Sequence, residues 1–277
     1  MEYDKQAYKE KKQAELAELF DTLNEETEEI AKDSEKYKAY LDTQARMERY
    51  SVSNVILLSK QRPDARQVKS FDDWKKLKVQ VKRGEKGIAI LEPYKYQKEN
   101  GKIGTAYNVK RVFDVMQTDV RPREKMFLSD VSERGLLKAL INEAPVPIEV
   151  VESLENGKNA EYAHEKQTLY IKRGLEPGTF FRAVSKELAL AEFEVNNDFD
   201  YTKKAYIQKA EAVSYMLCRR YGIEPQITPE IPEIFHGKEA KEIRRELSES
   251  REIFREINDR MNEAIEKQRE AKREQER

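Results

Sequence analysis

The sequence predicts an α+β chain, and three features predict it. A run without Gly or Pro from Glu2 to Arg49 carries helix-forming residues. It is followed by short apolar stretches set between turn signals, which read as a small antiparallel sheet. Last comes a strand, hairpin, helix, helix succession that ends in a long, charged, heptad-spaced helix.

In the first run Leu16, Leu19, Phe20, Leu23 and Ile30 recur at helical spacing, and Tyr37, Tyr40, Leu41 and Ala45 continue it. Asp33-Ser34 is a cap signal that divides the run into two helices. A third helix carries Tyr50, Val52, Val55, Ile56 and Leu58 until Pro63 stops it. Asn54 lies inside that helix, where an amide either finds hydrogen-bond partners or faces a ligand. A short strand at 66–68 leads to a helix at 72–77, then the turn Arg83-Gly84-Glu85-Lys86-Gly87 and a strand from Ile88 to Tyr96. Glu99-Asn100-Gly101-Lys102 is a hairpin signal, and 107–116 is the returning strand.

Arg121-Pro122-Arg123 reads as a linker. Beyond it come a helix at Leu136, Leu137 and Leu140, a strand from Ile148 to Val151, and a hairpin at 160–171 around His164-Glu165-Lys166-Gln167. Two helices follow, 178–196 and 202–221, with Gly222 placed as the C-terminal cap. A Pro-rich connector, 225–232, precedes a helix from about Lys238. Its apolar residues at Ile243, Leu247, Phe254, Ile257, Met261 and Ala264 either pack back on the molecule or form a coiled coil with another copy. Residues 266–277 lack apolar anchors and are expected to be mobile. The expected domains are 1–120 with a helical arm at 1–49, 121–224, and 225–277.

No apolar run reaches the roughly 18 residues of a membrane span, and Met1-Glu2-Tyr3-Asp4-Lys5 lacks the order of a secretory signal, so a cytoplasmic protein without membrane contact is expected. The single Cys218 forms no internal disulfide and supplies no cysteine cluster for zinc. The net charge of −1 conceals a segregation: residues 60–125 hold 18 Lys and Arg against 9 Asp and Glu, between two acidic flanks. Such a field either attracts a polyanion, nucleic acid first, or neutralises the acidic helices of the same molecule.

Four ordered blocks carry a family resemblance. They are Arg49-Tyr50-Ser51 with Asn54 and Leu57-Leu58, Phe71 with Trp74-Lys75-Lys76-Leu77, Val81 through Ile88, and Val112-Phe113-Asp114-Val115 with Gln117-Thr118. Over about seventy residues they resemble the N-terminal, single-stranded-DNA-binding domain of ArdC-type antirestriction proteins of conjugative and mobile elements. The resemblance implies bases stacked on aromatic side chains and phosphates held by Lys and Arg. Tyr50, Trp74 and Tyr107 are the candidate stackers, Lys75, Lys78, Lys82, Arg83, Lys86, Lys110 and Arg111 the phosphate contacts, and Asn54 a further candidate contact. A lone Trp on a short helix also reads as a core anchor.

The second domain resembles the zinc metallopeptidase half of the same family, in which one helix carries HExxH and a Glu on the next helix completes a zincin-like site. The matching stretch here is Lys186-Glu187-Leu188-Ala189-Leu190: both histidines are replaced, by Lys186 and Leu190, and Glu187 and the aligned Glu211 lose their metal. A degenerate site with no metal, no cofactor and no peptidase activity is expected, with the Lys186 ammonium pairing with Glu211 or Glu187 in place of the cation. His164 reads as a loop residue and Cys218 as a small core residue.

Two functional readings follow. One is a non-catalytic single-stranded-DNA-binding, antirestriction-like accessory protein of a mobile element, with a pseudo-peptidase domain as scaffold or partner surface. The other is an interaction module that binds and inhibits a host restriction or defence protein through the degenerate cleft or the C-terminal helix, the latter also a candidate for self-association.

Overall fold

The computed structural model describes residues 5–98, 100–120, 131–196 and 201–275. Of the sequence expectations, the linker at Arg121-Pro122-Arg123, Glu99 of the hairpin turn and the last two residues lie outside these ranges. The chain folds as two compact units, 1–123 with 235–245, and 124–234 with 246–277.

In the first unit α1 (Lys5–Ile30) and α2 (Ser34–Arg46) are divided where the sequence signals it: the Asp33 carboxylate accepts from the amides of Glu35 and Lys36 and starts α2. Helix α3 (Val52–Gln61) is capped by Ser51. Strand β1 (Val68–Ser70), helix α4 (Phe71–Lys76), and strands β2 (Ile88–Gln97) and β3 (Ile103–Asp114) follow. The sheet is antiparallel in the order β1-β3-β2, with Leu91 opposite Val109 and Ser70 opposite Val112. The core is built from Val55, Leu57 and Leu58 of α3, Tyr37, Tyr40 and Leu41 of α2, and Ile88, Ile90 and Leu91 of β2, all buried.

Strand β2 has a free edge, and α3 closes it with two amide side chains. Asn54 donates to the Leu91 carbonyl at 2.9 Å and accepts from the Leu91 amide at 2.8 Å. Gln61, two helical turns further on, makes the same pair of bonds to Ala89. An unpaired strand edge leaves backbone donors and acceptors without partners, and these two side chains satisfy four of them.

The second unit contains α5 (Glu133–Ile141), a sheet of β4 (Ile148–Val151), β5 (Ala160–Ala163) and β6 (Thr168–Lys172), and the helices α6 (Pro177–Asn196) and α7 (Lys203–Tyr221). Strand β6 lies centrally, parallel to β4 and antiparallel to β5. Helices α6 and α7 pack through Phe181, Val184, Leu188, Val213 and Leu217, all fully buried, and Gly222 ends α7 in the left-handed region at φ 72°.

Helix α8 (Ala240–Gln275) contributes its first residues to the first unit and the remainder to the second. Its heptad positions Leu247, Phe254, Ile257, Met261 and Ala264 are buried by residues of the same chain. The helix continues past Glu266, where the sequence suggested mobility, because polar contacts replace the missing apolar ones: Gln268 donates to the Gly135 carbonyl and Arg269 pairs with Glu266. Among the described residues no helix is long and apolar enough to cross a membrane.

Candidate functional sites

The basic turn between α4 and β2 is held by the end of β3. Asp114 is fully buried, and its carboxylate accepts from the amides of Arg66, Gln67 and Met116. Buried Gln117 accepts through Oε1 from the Asp114 amide and donates through Nε2 to the Glu85 carboxylate and the Lys86 carbonyl, 2.9 Å each. The Lys82 amide donates to the Gln117 carbonyl, and Val81 bridges to Thr118. The block Val112–Thr118 is therefore the clamp that fixes the turn rather than a ligand-touching motif. Its two glycines have separate reasons. Gly84 takes φ 88°, and a Cβ on Gly87 would stand 2.9 Å from the Cβ of Arg111 and 3.0 Å from the Phe113 ring.

On this clamped turn Lys82, Arg83 and Lys86 are exposed, and Lys75 and Lys78 are exposed just before it. Lys82 reaches the Met116 carbonyl at 3.1 Å, a neutral acceptor that leaves its charge uncompensated. Lys110 and Arg111 differ from these, since they pair with Glu92 and Glu15. Beside the turn, Phe71 is 54% exposed and meets Phe113 edge-on with ring centres 6.3 Å apart. Because Phe113 abuts Gly87, aromatic surface and basic turn are contiguous.

The four candidate contacts other than lysine and arginine are placed less favourably. Trp74 is a core residue, 3% exposed, with its indole N–H donating to the Phe113 carbonyl at 2.8 Å, so no base can stack on it. Asn54 is buried and fully engaged with Leu91, which takes it off any ligand-facing surface. Tyr50 is half-buried, donates to the Val68 carbonyl, and has its phenol held above the ordinary range by burial and then by Asp73. Tyr107 is exposed along one edge and packs edge-on against Phe20 of α1. Sequence reasoning did not single out Phe71 as an exposed aromatic, although it stands in the same block as Trp74. It also missed Tyr94 and Tyr96, which are two residues apart on one exposed face of β2 and carry the strand-alternation signal.

In the second unit, Glu187 is buried, and its Oε2 accepts from the Tyr162 amide at 2.9 Å and from the Lys203 ammonium at 3.0 Å. Lys186 comes only to 3.9 Å of the other oxygen and makes no ion pair with Glu211. The expected substitution of the cation by Lys186 is thus filled mainly by Lys203, which approaches from the start of α7. Leu190 is fully buried and offers no donor atom. Among the described residues no group of three or more His, Cys, Asp or Glu could hold a metal ion. The residues at the aligned positions do not fit a divalent cation, because the one buried carboxylate is already neutralised by ammonium and amide donors.

Lys186 and Glu211 instead line a cavity of about 240 Å³, together with Arg182, Ser214 and Cys218. Ser185 and Ser214 share a buried hydrogen bond of 2.7 Å beside it. Burial pushes the Cys218 thiol up to about 12, although Ser214 and Arg182 act in the opposite direction, so the sulfur is a neutral core atom and not a nucleophile. His164 is largely exposed, with Nδ1 2.7 Å from the buried Glu194 carboxylate.

Residues 9–127 match the family described as the N-terminal domain of anti-restriction factor ArdC. Two crystal structures of the antirestriction ArdC protein from plasmid R388 are similar to the chain. The metal-free one has 17% identity and a TM-score of 0.46 over 79% of this chain and 86% of that one. The Mn(II)-bound one has 16% identity and a TM-score of 0.49 over 82% and 97%. No curated protein matches the chain.

Proposed function

We propose that this protein, whose residues 9–127 match the ArdC N-terminal domain family, binds single-stranded DNA through the turn Lys82–Gly87 and the adjoining Phe71 and Phe113. In this reading it acts as a non-catalytic antirestriction accessory protein of a mobile element. The observation that carries the reading is the clamp. Two fully buried polar side chains, Asp114 and Gln117, hold a turn whose exposed cations Lys82, Arg83 and Lys86 make no ion pair among the described residues, the turn's own Glu85 accepting from Gln117 instead. Pre-ordered ammonium and guanidinium groups beside an exposed ring suit a flexible polyanion whose bases are free to stack.

The test is anisotropy of a labelled single-stranded oligonucleotide across salt concentrations. With five phosphate contacts, from Lys75, Lys78, Lys82, Arg83 and Lys86, the expected log–log slope is about −3.5, a loss of roughly 100-fold between 50 and 200 mM salt. Combined charge reversal of Lys82, Arg83 and Lys86 removes about two units of that slope. Absence of binding at low salt, or binding indifferent to the reversal, overturns the assignment.

A second reading is supported by the cavity at the degenerate site. Among its described residues the second unit has no group of three or more His, Cys, Asp or Glu that could hold a metal ion, and it has a cleft with charged walls, which suits a pseudo-peptidase that holds a partner without cutting it.

A further inference from the structure

We infer that the cavity between α6 and α7 is a carboxylate-binding site, in which Arg182 and Lys186 receive an α-carboxylate. This deepens the reading of the second unit as a partner-holding cleft and rests on it. The two residues stand one helical turn apart on α6 and line the same wall. Arg182 is fixed without being neutralised: Nη1 donates to the Glu224 carbonyl at 3.1 Å and Nη2 to the Thr179 hydroxyl at 3.3 Å, both uncharged acceptors. Gly178 makes room for it, since a Cβ there would stand 3.1 Å from Nη1. Lys186 has its nearest carboxylate oxygen 3.9 Å away on Glu187, whose other oxygen is already paired with Lys203.

Two cations therefore face a cavity that contains one carboxylate, Glu211, and neither pairs with it. A planar guanidinium beside an ammonium matches the geometry and charge of a single carboxylate. Glu211 on the opposite helix disfavours a dianion such as phosphate, and it supplies an acceptor for an N–H next to the bound carboxylate. That N–H belongs either to the ammonium of a free amino acid or to the amide of a peptide C-terminus. Pro225, Ile227 and Pro229 give the cavity an apolar side that takes an aliphatic side chain. Replacing the first histidine of a metal site by lysine has, on this reading, turned a cation site into an anion site.

Calorimetric titration of the full chain tests the site with four probes: acetyl-Gly-Gly-Leu, its C-terminal amide, free leucine and inorganic phosphate. The expected result is saturable binding of a carboxylate probe, with the amide and phosphate at least ten-fold weaker. Arg182→Met and Lys186→Met should each weaken the carboxylate probe ten-fold or more while circular dichroism stays unchanged. Tighter binding of free leucine, with the advantage lost in Glu211→Gln, identifies the amino acid; tighter binding of the acetylated peptide identifies a C-terminus. Equal binding of peptide and amide overturns the carboxylate site but leaves the cleft as a peptide-holding surface. Preference for phosphate overturns the carboxylate assignment, and binding of no probe overturns both the site and the cleft reading.

Discussion

Replacing Asn54 by Ala separates a structural amide from a DNA contact. The side chain is buried and makes two bonds, 2.9 and 2.8 Å, to the carbonyl and amide of Leu91, itself only 4% exposed. Truncation leaves both backbone groups at the free edge of β2 without partners, at about 1–3 kcal/mol each. Water entering the vacated space recovers part of this, so a net loss of about 3 kcal/mol is expected, which moves a urea midpoint by about 1 M or more. The Leu91 amide should exchange faster with deuterium than its neighbours in β3, while affinity for a single-stranded oligonucleotide at low salt stays within about two-fold. The opposite pattern, an unchanged midpoint with lost DNA binding, would refute the reasoning and return Asn54 to the ligand-facing surface.

Phe71→Ala should weaken single-stranded DNA binding by about 1–3 kcal/mol in an anisotropy titration without lowering the melting temperature; Trp74→Ala, which empties a core position and orphans the Phe113 carbonyl, should instead cost about 3–5 kcal/mol of stability. The double change Lys186→His with Leu190→His should give a folded protein that gains about one zinc per chain by elemental analysis, and stoichiometric zinc in the unaltered protein would show the degenerate-site argument to be wrong. Cys218 should resist alkylation in the native state at pH 8. Its folded pKa is raised to about 12, so the neutral thiol favours folding below the unfolded value, and that contribution disappears as pH rises from about 9 towards 12, which a pH series of urea midpoints would register. Lys203→Met should destabilise the second unit by about 2 kcal/mol, and Lys186→Met by well under 1 kcal/mol, in thermal unfolding of the two variants side by side.

Where a structural signal is local, the sequence carried it. Asp33 and Gly222 are caps whose side chain or backbone freedom acts within a turn of its own position, and each sits at the helix end that its residue type indicates, whereas the third helix starts after Ser51 and leaves Tyr50 outside it. The strands either side of Asn100-Gly101 pair in the register that the turn sets. The clamp on the basic turn was half legible. The block around Asp114 and Gln117 stood out by its pattern, but nothing in one dimension says that a carboxylate at position 114 gathers amides from 66 and 67. Asn54 was misleading for the same reason. An amide on an apolar helix declares an unmet need for hydrogen bonds, and only the docking of α3 on β2 decides that the backbone of Leu91 meets it.

The degenerate site shows how that difficulty extends to charge. The resemblance to HExxH implies that Lys186 and Leu190 stand where two histidines would flank Glu187, and a buried carboxylate there requires a cation. The sequence places a lysine at one of these positions, and the inference that this lysine takes over the charge is chemically sound. The geometry divides the work otherwise. The Lys186 side chain lines the cavity wall and leaves Nζ 3.9 Å from Glu187. Lys203, at the start of α7, delivers its ammonium to 3.0 Å, where the Tyr162 amide already supports the same oxygen. The ammonium closest to the Glu187 carboxylate and the ammonium that lines the cavity therefore belong to different residues, Lys203 and Lys186. Lys203 thereby steadies the buried carboxylate, and Lys186 stays on the cavity wall, where the proposed carboxylate ligand would meet it.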